Sequence, residues 1–244
     1  MKEKPKLKDP VLIEGLPGIG FVANIAALHL IRELKANLFA EIRCSSFQDF
    51  AVTVDEGQVR YPINDLYYYK GINDERDLII LYGNTQALTS SGQYELCGQI
   101  LDIAKKFDCR TLITLGGFKV EREVDKPKLY YAATDKETVS ELSKMGVEMI
   151  KGQIFGVAGL LLGLGKLRGF QGFCLLAETM GLYPDHIATQ EVMKLISTKL
   201  NLKLDLKSLK RTVEVTRTLL ENFGLIEQPS RERRKEESQF RWFI

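Results

Sequence analysis

Val11-Leu12-Ile13-Glu14-Gly15-Leu16-Pro17-Gly18-Ile19-Gly20-Phe21 is the stretch that decides the fold of this chain. Val11 to Glu14 is a short run of strand character, Gly15 to Gly20 is a glycine-rich turn, and from Phe21 to Leu34 apolar residues recur at helical spacing. Two later segments repeat the design. Asp77 to Tyr82 is a continuous apolar run closed by Gly83, followed by a polar loop and a helical pattern from Ser90 to Phe107, with Ser90 or Ser91 as its cap. Cys109 to Leu115 then ends at Gly116-Gly117. Unbroken apolar runs between helices are what parallel strands buried on both faces require. The expected fold is α/β, with a central, mostly parallel sheet flanked by helices on both faces.

Around this frame, Leu38 to Cys44 and Ala51 to Tyr69 are rich in β-branched and aromatic residues, with turn signals at Glu56-Gly57, Pro62 and Asn64, and predict strands and hairpins. Lys128 to Ala133 predicts another strand, Lys136 to Met145 a helix and Gly172 to Ala177 a further strand. Ile187 to Leu200 and Leu206 to Phe223 carry apolar residues three and four apart and predict a C-terminal helical hairpin, with Gly224 as the closing cap. Three segments result: a short N-terminal stretch, 1–10; a single α/β domain, 11–227; and an extended charged tail, 228–244. In that tail Pro229 breaks the pattern, Ser230 to Gln239 is almost wholly polar, and Phe240, Trp242, Phe243 and Ile244 end the chain.

Composition narrows the function. The 244 residues are near the upper limit for one compact domain. A hydrophobic fraction of 45% and a charged fraction of 27% exclude a wholly disordered or collagen-like chain. The 34 basic and 32 acidic side chains leave a net charge of +2, which provides no field to hold a nucleic acid. The longest apolar stretch, Ile154 to Leu167, is interrupted by Gly156, Gly159, Gly163 and Gly165 and is too short to cross a bilayer. The lysine-rich N-terminus precedes no apolar signal core, so a cytoplasmic location is expected. Cys44, Cys97, Cys109 and Cys174 form no Cys-x-x-Cys pair and are expected as core thiols.

Candidate site residues fall at strand ends. Gly15, Pro17, Gly18 and Gly20 lie between a strand and a helix, where backbone amides can receive an anion, although neither the dinucleotide spacing nor a Gly-Lys-Ser/Thr sequence is present. A turn that lets strand and helix pack closely is the other reading. Phe155 to Gly163 is open to the same two readings, with packing against a sheet or another subunit favoured by its apolar neighbours. Glu178, Asp185 and His186 follow the strand at Gly172, where α/β folds place active sites, and Asp185 is also positioned to cap the next helix. The polar residues Asn84-Thr85-Gln86 and Thr89-Ser90-Ser91 leave an earlier strand at a similar place. Of the two histidines, neither sits in a metal-ligand pattern, and His29 is expected to be structural. No metal and no cofactor are expected.

Gly15 to Gly20, Gly159-Leu160-Leu161-Leu162-Gly163, and Leu175-Leu176-Ala177-Glu178-Thr179 leading to Tyr183-Pro184-Asp185 resemble, in order and spacing, the archaeal members of the proteasome assembly chaperone type 2 family. The likeness covers roughly Val11 to Glu227. It implies a fold similar to nucleoside phosphorylases, a homo-oligomer, and binding to proteasome α subunits without ATP hydrolysis. Proteasome activators and related chaperones can end in a hydrophobic residue, a tyrosine and any final residue, and Trp242-Phe243-Ile244 looks like a variant in which phenylalanine replaces the tyrosine. The resemblance thus implies a non-enzymatic chaperone or adaptor whose partner-binding residues are Phe240, Trp242, Phe243 and Ile244. Two other functions remain: a binding protein or enzyme for a nucleotide or phosphate held by Gly15 to Gly20 and the Glu178 region, and an oligomeric scaffold whose tail meets a different partner or co-chaperone.

Overall fold

A computed structural model describes residues 5–53 and 57–222 of the chain. In chain order the strands are β1 Val11–Gly15, β2 Asn37–Ile42, β3 Val52–Thr53, β4 Val59–Arg60, β5 Asn64–Tyr69, β6 Leu78–Gly83, β7 Thr111–Lys119, β8 Leu129–Ala133, β9 Glu148–Met149 and β10 Gln171–Thr179. The helices are α1 Val22–Glu33, α2 Ser90–Lys106, α3 Lys136–Lys144, α4 Gly156–Leu167, α5 His186–Leu200 and α6 Leu209–Asn222. Eight strands form one sheet in the order β2-β5-β6-β1-β7-β10-β8-β9, and β3 pairs separately with β4. The four central strands, β6-β1-β7-β10, are all parallel. Antiparallel pairs at β5/β6, β2/β5 and β8/β10 extend the sheet on either side.

All five residues of β1 are buried because the sheet is covered on both faces. On one face Ile13, Ile80, Ile113 and Phe173 pack with Ala26 and Leu30 of α1 and with Val192 and Ile196 of α5. On the other, Leu12, Ile79, Leu81 and Leu112 pack with Leu96 and Ile100 of α2 and with Leu161 of α4. Each such side chain contributes about 1.5–3 kcal/mol by leaving water. The unbroken apolar runs of the sequence follow from this two-sided burial.

Several local expectations are revised. Helix α2 is capped by Thr89, whose Oγ1 accepts from the Gly92 amide at 3.1 Å, and not by Ser90 or Ser91, which are its first two residues. Strand β7 does not stop at Gly116-Gly117 but runs through them to Lys119, because a bare backbone at Gly117 lets the carbonyl of Ile19 lie against it. Cys97, Cys109 and Cys174 are buried as expected, whereas Cys44 is only half-buried in the segment that leaves β2. Burial pushes the Cys97 and Cys174 thiols up to about 12 and that of Cys109 to about 11, so none of the three is a thiolate at neutral pH. His29 is buried in α1, with Nδ1 3.2 Å from Thr212 Oγ1 of α6, and so ties the C-terminal helix to the sheet layer. The expected cap at Gly224 and the tail 228–244, with Phe240, Trp242, Phe243 and Ile244, lie outside the described residues.

Candidate functional site

The C-terminal ends of the central strands are where an open α/β sheet receives a ligand. Here that edge is packed by the chain's own glycine turn. A side chain at Gly15 would collide with Ala27, so the glycine sets how closely α1 approaches β1. Gly20 has φ of 63°, and a Cβ there would lie 2.7 Å from Thr179 Oγ1. Its carbonyl accepts from the Asp185 amide at 2.9 Å, which fastens the turn to the loop after β10. Gln86 completes the junction: Nε2 donates to the Pro17 carbonyl at 2.6 Å, while Oε1 accepts from the Val157 amide at 3.1 Å. That amide is in the first turn of α4, the place where an anion would dock, and a side-chain amide satisfies it instead. The depression beside Gly18 is lined by amides and apolar groups such as Gln48, Asn84, Phe21 and Leu88, with no ionisable side chain among the described residues.

Glu178 and Asp185 belong to two separate networks. The Glu178 carboxylate accepts from Arg122 Nη2 on both oxygens at 2.9 Å, from the Lys128 amide at 3.2 Å and from the Tyr130 hydroxyl at 3.1 Å. Burial alone would raise its pKa, but the Lys128 amide, the Tyr130 hydroxyl and the Arg122 guanidinium outweigh it and hold the group below the usual carboxylate range. A carboxylate this well solvated by donors is a weak base; its work is to tie β8 and the β7–β8 connection to β10. Asp185 takes the Thr179 hydroxyl at 2.6 Å on one oxygen and caps α5 by accepting from the Ala188 amide at 2.9 Å on the other. His186 is the first residue of α5, and among the described residues no hydrogen bond from it joins either network.

One acidic residue escaped the sequence reading. Glu14, the residue before the last in β1, is 1% exposed, accepts from the Leu16 amide at 2.8 Å through Oε1, and finds no partner for Oε2 among the described residues. Burial pushes its pKa up to about 7 against the opposing hydrogen bonds of the Leu16 and Leu115 amides. The only signal for it in the sequence is a carboxylate inside an otherwise apolar strand.

Helix α4 divides its apolar residues between two faces. Val157, Leu161 and Gly165 face the sheet, and a side chain at Gly165 would collide with Leu112. Leu160, Gly163, Leu164 and Leu167 line an uncharged groove of about 670 Å³ against Gln93 and Tyr94 of α2. Phe155 and Leu167, 81% and 83% exposed, stand at its margins. An apolar surface of this kind, with large side chains beside glycines, is typical of places where proteins meet.

The comparisons agree with this architecture. The PAC2 family model matches residues 12–223, from β1 through both helical layers to the end of α6. An uncharacterized protein of Methanocaldococcus jannaschii is 33% identical over 230 residues, covering 93% of this chain and 88% of that one. The crystal structure of Pyrococcus furiosus PbaB, described as an archaeal proteasome activator, superposes with a TM-score of 0.81 at 36% identity, covering 91% of this chain and 96% of PbaB. Pyrococcus furiosus PbaA, described as an archaeal homolog of proteasome-assembly chaperone, gives a TM-score of 0.73 at 27% identity, with 90% and 93% covered. Both descriptions refer to the proteasome or to its assembly and not to a catalysed reaction. With its sheet, both helical layers and glycine turn inside the matched region, the chain belongs to the PAC2 family.

Proposed function

We propose that this protein is a non-enzymatic, homo-oligomeric chaperone or adaptor of the cytoplasm that binds proteasome α subunits without ATP. The observation that carries this reading is the likeness to PbaB, which extends over more than nine-tenths of both chains at 36% identity. The site geometry supports binding over catalysis, because Glu178 and Asp185 are committed to structural hydrogen bonds and the glycine turn is packed on its own strands. Copies meet through apolar surface, and the outer face of α4 offers such a surface.

Contact with the α ring is assigned to the tail. Phe240, Trp242, Phe243 and Ile244 fill apolar crevices between adjacent subunits. With Phe243 in the place of tyrosine, the phenolic hydrogen bond is missing, so one tail binds weakly. Several tails on one oligomer, each on the polar tether Ser230 to Gln239, gain avidity of about a hundredfold or more when the tether spans the sites. Affinity capture on immobilised full-length protein tests the reading: α subunits, free or in rings, should be retained. Failure of both forms to bind would remove the proteasome partner and leave a scaffold for another protein.

A further inference from the structure

The depression beside Gly18 holds about 380 Å³, within the range of small-ligand sites, and the chaperone reading leaves it unused. Its lining combines apolar side chains, Phe21 and Leu88 among them, with the amides of Gln48, Asn84 and Gln86. Two of these amides are already answered: Asn84 Oδ1 accepts from the Ile63 amide at 2.9 Å, and Gln86 bridges Pro17 and Val157. Gln48 is different. Its Oε1 is out of water and finds no hydrogen-bond partner among the described residues. An acceptor left unanswered at depth is costly, so an occupant of the depression has to bring an N–H or O–H.

Phe21 points the same way. Its backbone is left-handed, with φ of 53°, an unfavourable conformation for a bulky side chain, and strain of this kind gathers where a chain clamps a ligand. Leu88, 66% exposed, leaves apolar surface open on the same lining. Since the lining carries no ionisable side chain among the described residues, the fitting occupant is an uncharged apolar group with one donor. An indole is such a group: a large flat ring whose Nε1–H donates and accepts nothing.

The chain has one tryptophan, Trp242, and α6 brings it within reach. Leu220, in the last turn of α6, lines a neighbouring cavity together with Asn84, and Asn84 lines the depression as well. From the end of α6 at Asn222, residues 223–241 lead to Trp242, a length of chain that spans up to roughly 65 Å when extended. Tethering at that range presents the indole at an effective concentration on the order of millimolar, so even a weak contact is populated.

We propose that the depression beside Gly18 receives Trp242 of the same chain, with the ring against Phe21 and Leu88 and Nε1–H donating to Gln48 Oε1. The contact is autoinhibitory, because a partner has to displace the indole before it can take the tail. That consequence rests on the tail reading above, whereas the docking itself does not.

As the only tryptophan, Trp242 reports the contact through its fluorescence in the full-length protein. Acrylamide should quench it severalfold less than it quenches a peptide of residues 228–244, and its emission should lie to the blue of the peptide's. Leu88→Arg and Gly18→Leu should each return quenching to the peptide's value. A Cβ at Gly18 meets nothing within 4 Å and the backbone there is extended, so the leucine adds bulk without strain. Gln48→Leu, which removes only the acceptor, should raise quenching by a smaller factor. Tyr94→Ser, in the α2/α4 groove, should leave it unchanged. Circular dichroism confirms the fold of each variant, and if Gly18→Leu does not fold, Leu88→Arg decides.

An indole quenched as readily as in the peptide overturns the proposal. So does shielding that survives Leu88→Arg and Gly18→Leu, or that Tyr94→Ser removes. If the Leu88→Arg chain regains shielding when mixed with a Trp242→Ala chain, the tail docks on a neighbouring copy and the same-chain assignment falls. Where α rings bind, Leu88→Arg should bind them more tightly, by the inverse of the undocked fraction. A chain that ignores α rings removes the proteasome partner and leaves the fluorescence result standing.

Discussion

Glu14 and His29 show how single residues set the chemistry of this fold. The Glu14 carboxyl has a folded-state pKa of about 7, above its ordinary value of 4.5, so the folded chain favours its protonated form. The stability this group supports is fully present below pH 4.5 and is lost as pH rises through 7, a change of roughly 3 kcal/mol. Burial lowers the pKa of His29 from its ordinary 6.5, and its contribution runs the other way, being full above pH 6.5 and declining on acidification. Glu14→Gln should therefore gain stability relative to the unaltered chain as pH is raised from 5 to 8. Urea unfolding at both pH values measures it, and a difference that stays constant with pH would contradict the burial account. Neither shift was legible in the sequence, because periodicity tells which segment is buried and not which carboxylate loses its water. The core cysteines were legible, since an unpaired cysteine in an apolar run has no other economical place.

At the scale of elements, the sequence is most readable where side-chain type and position act together. Asp185 before α5 was expected as a cap and is one, but it also holds the Thr179 hydroxyl at the end of β10. Asp185→Ala should destabilise the protein by about 1–2 kcal/mol, the usual cost of a lost N-cap, with the orphaned hydroxyl adding to it. A urea midpoint that does not fall would show that this junction is not structural. Long strands with unbroken apolar runs were legible, whereas the two-residue β9 has no pattern to read, and Thr89 displaced the neighbouring serines as a cap by a shift of one or two residues. The outer face of α4 makes a separate prediction. Leu167→Lys should leave the unfolding midpoint nearly unchanged, because the residue is mostly exposed, and should lower the particle mass in light scattering. An unchanged mass would move the self-association surface elsewhere.

For the whole molecule, local sequence could not supply the strand order β2-β5-β6-β1-β7-β10-β8-β9, since pairing between distant segments leaves no local trace. The depression beside Gly18 became visible only once the segments that follow β1, β2 and β6 were brought together. The family was legible, because three motifs at the right separations fix more than any one of them. In the proposed function the PAC2 body would hold several copies of the tail at fixed spacing, and removing Trp242 to Ile244 should then leave the oligomer intact while abolishing its contact with α subunits. Native mass spectrometry of the full-length protein mixed with proteasome α rings tests this most directly. The account predicts a complex with the summed mass of ring and oligomer that disappears when Trp242 to Ile244 are deleted. Ring and oligomer flying only as separate species, with the tail present, would contradict it.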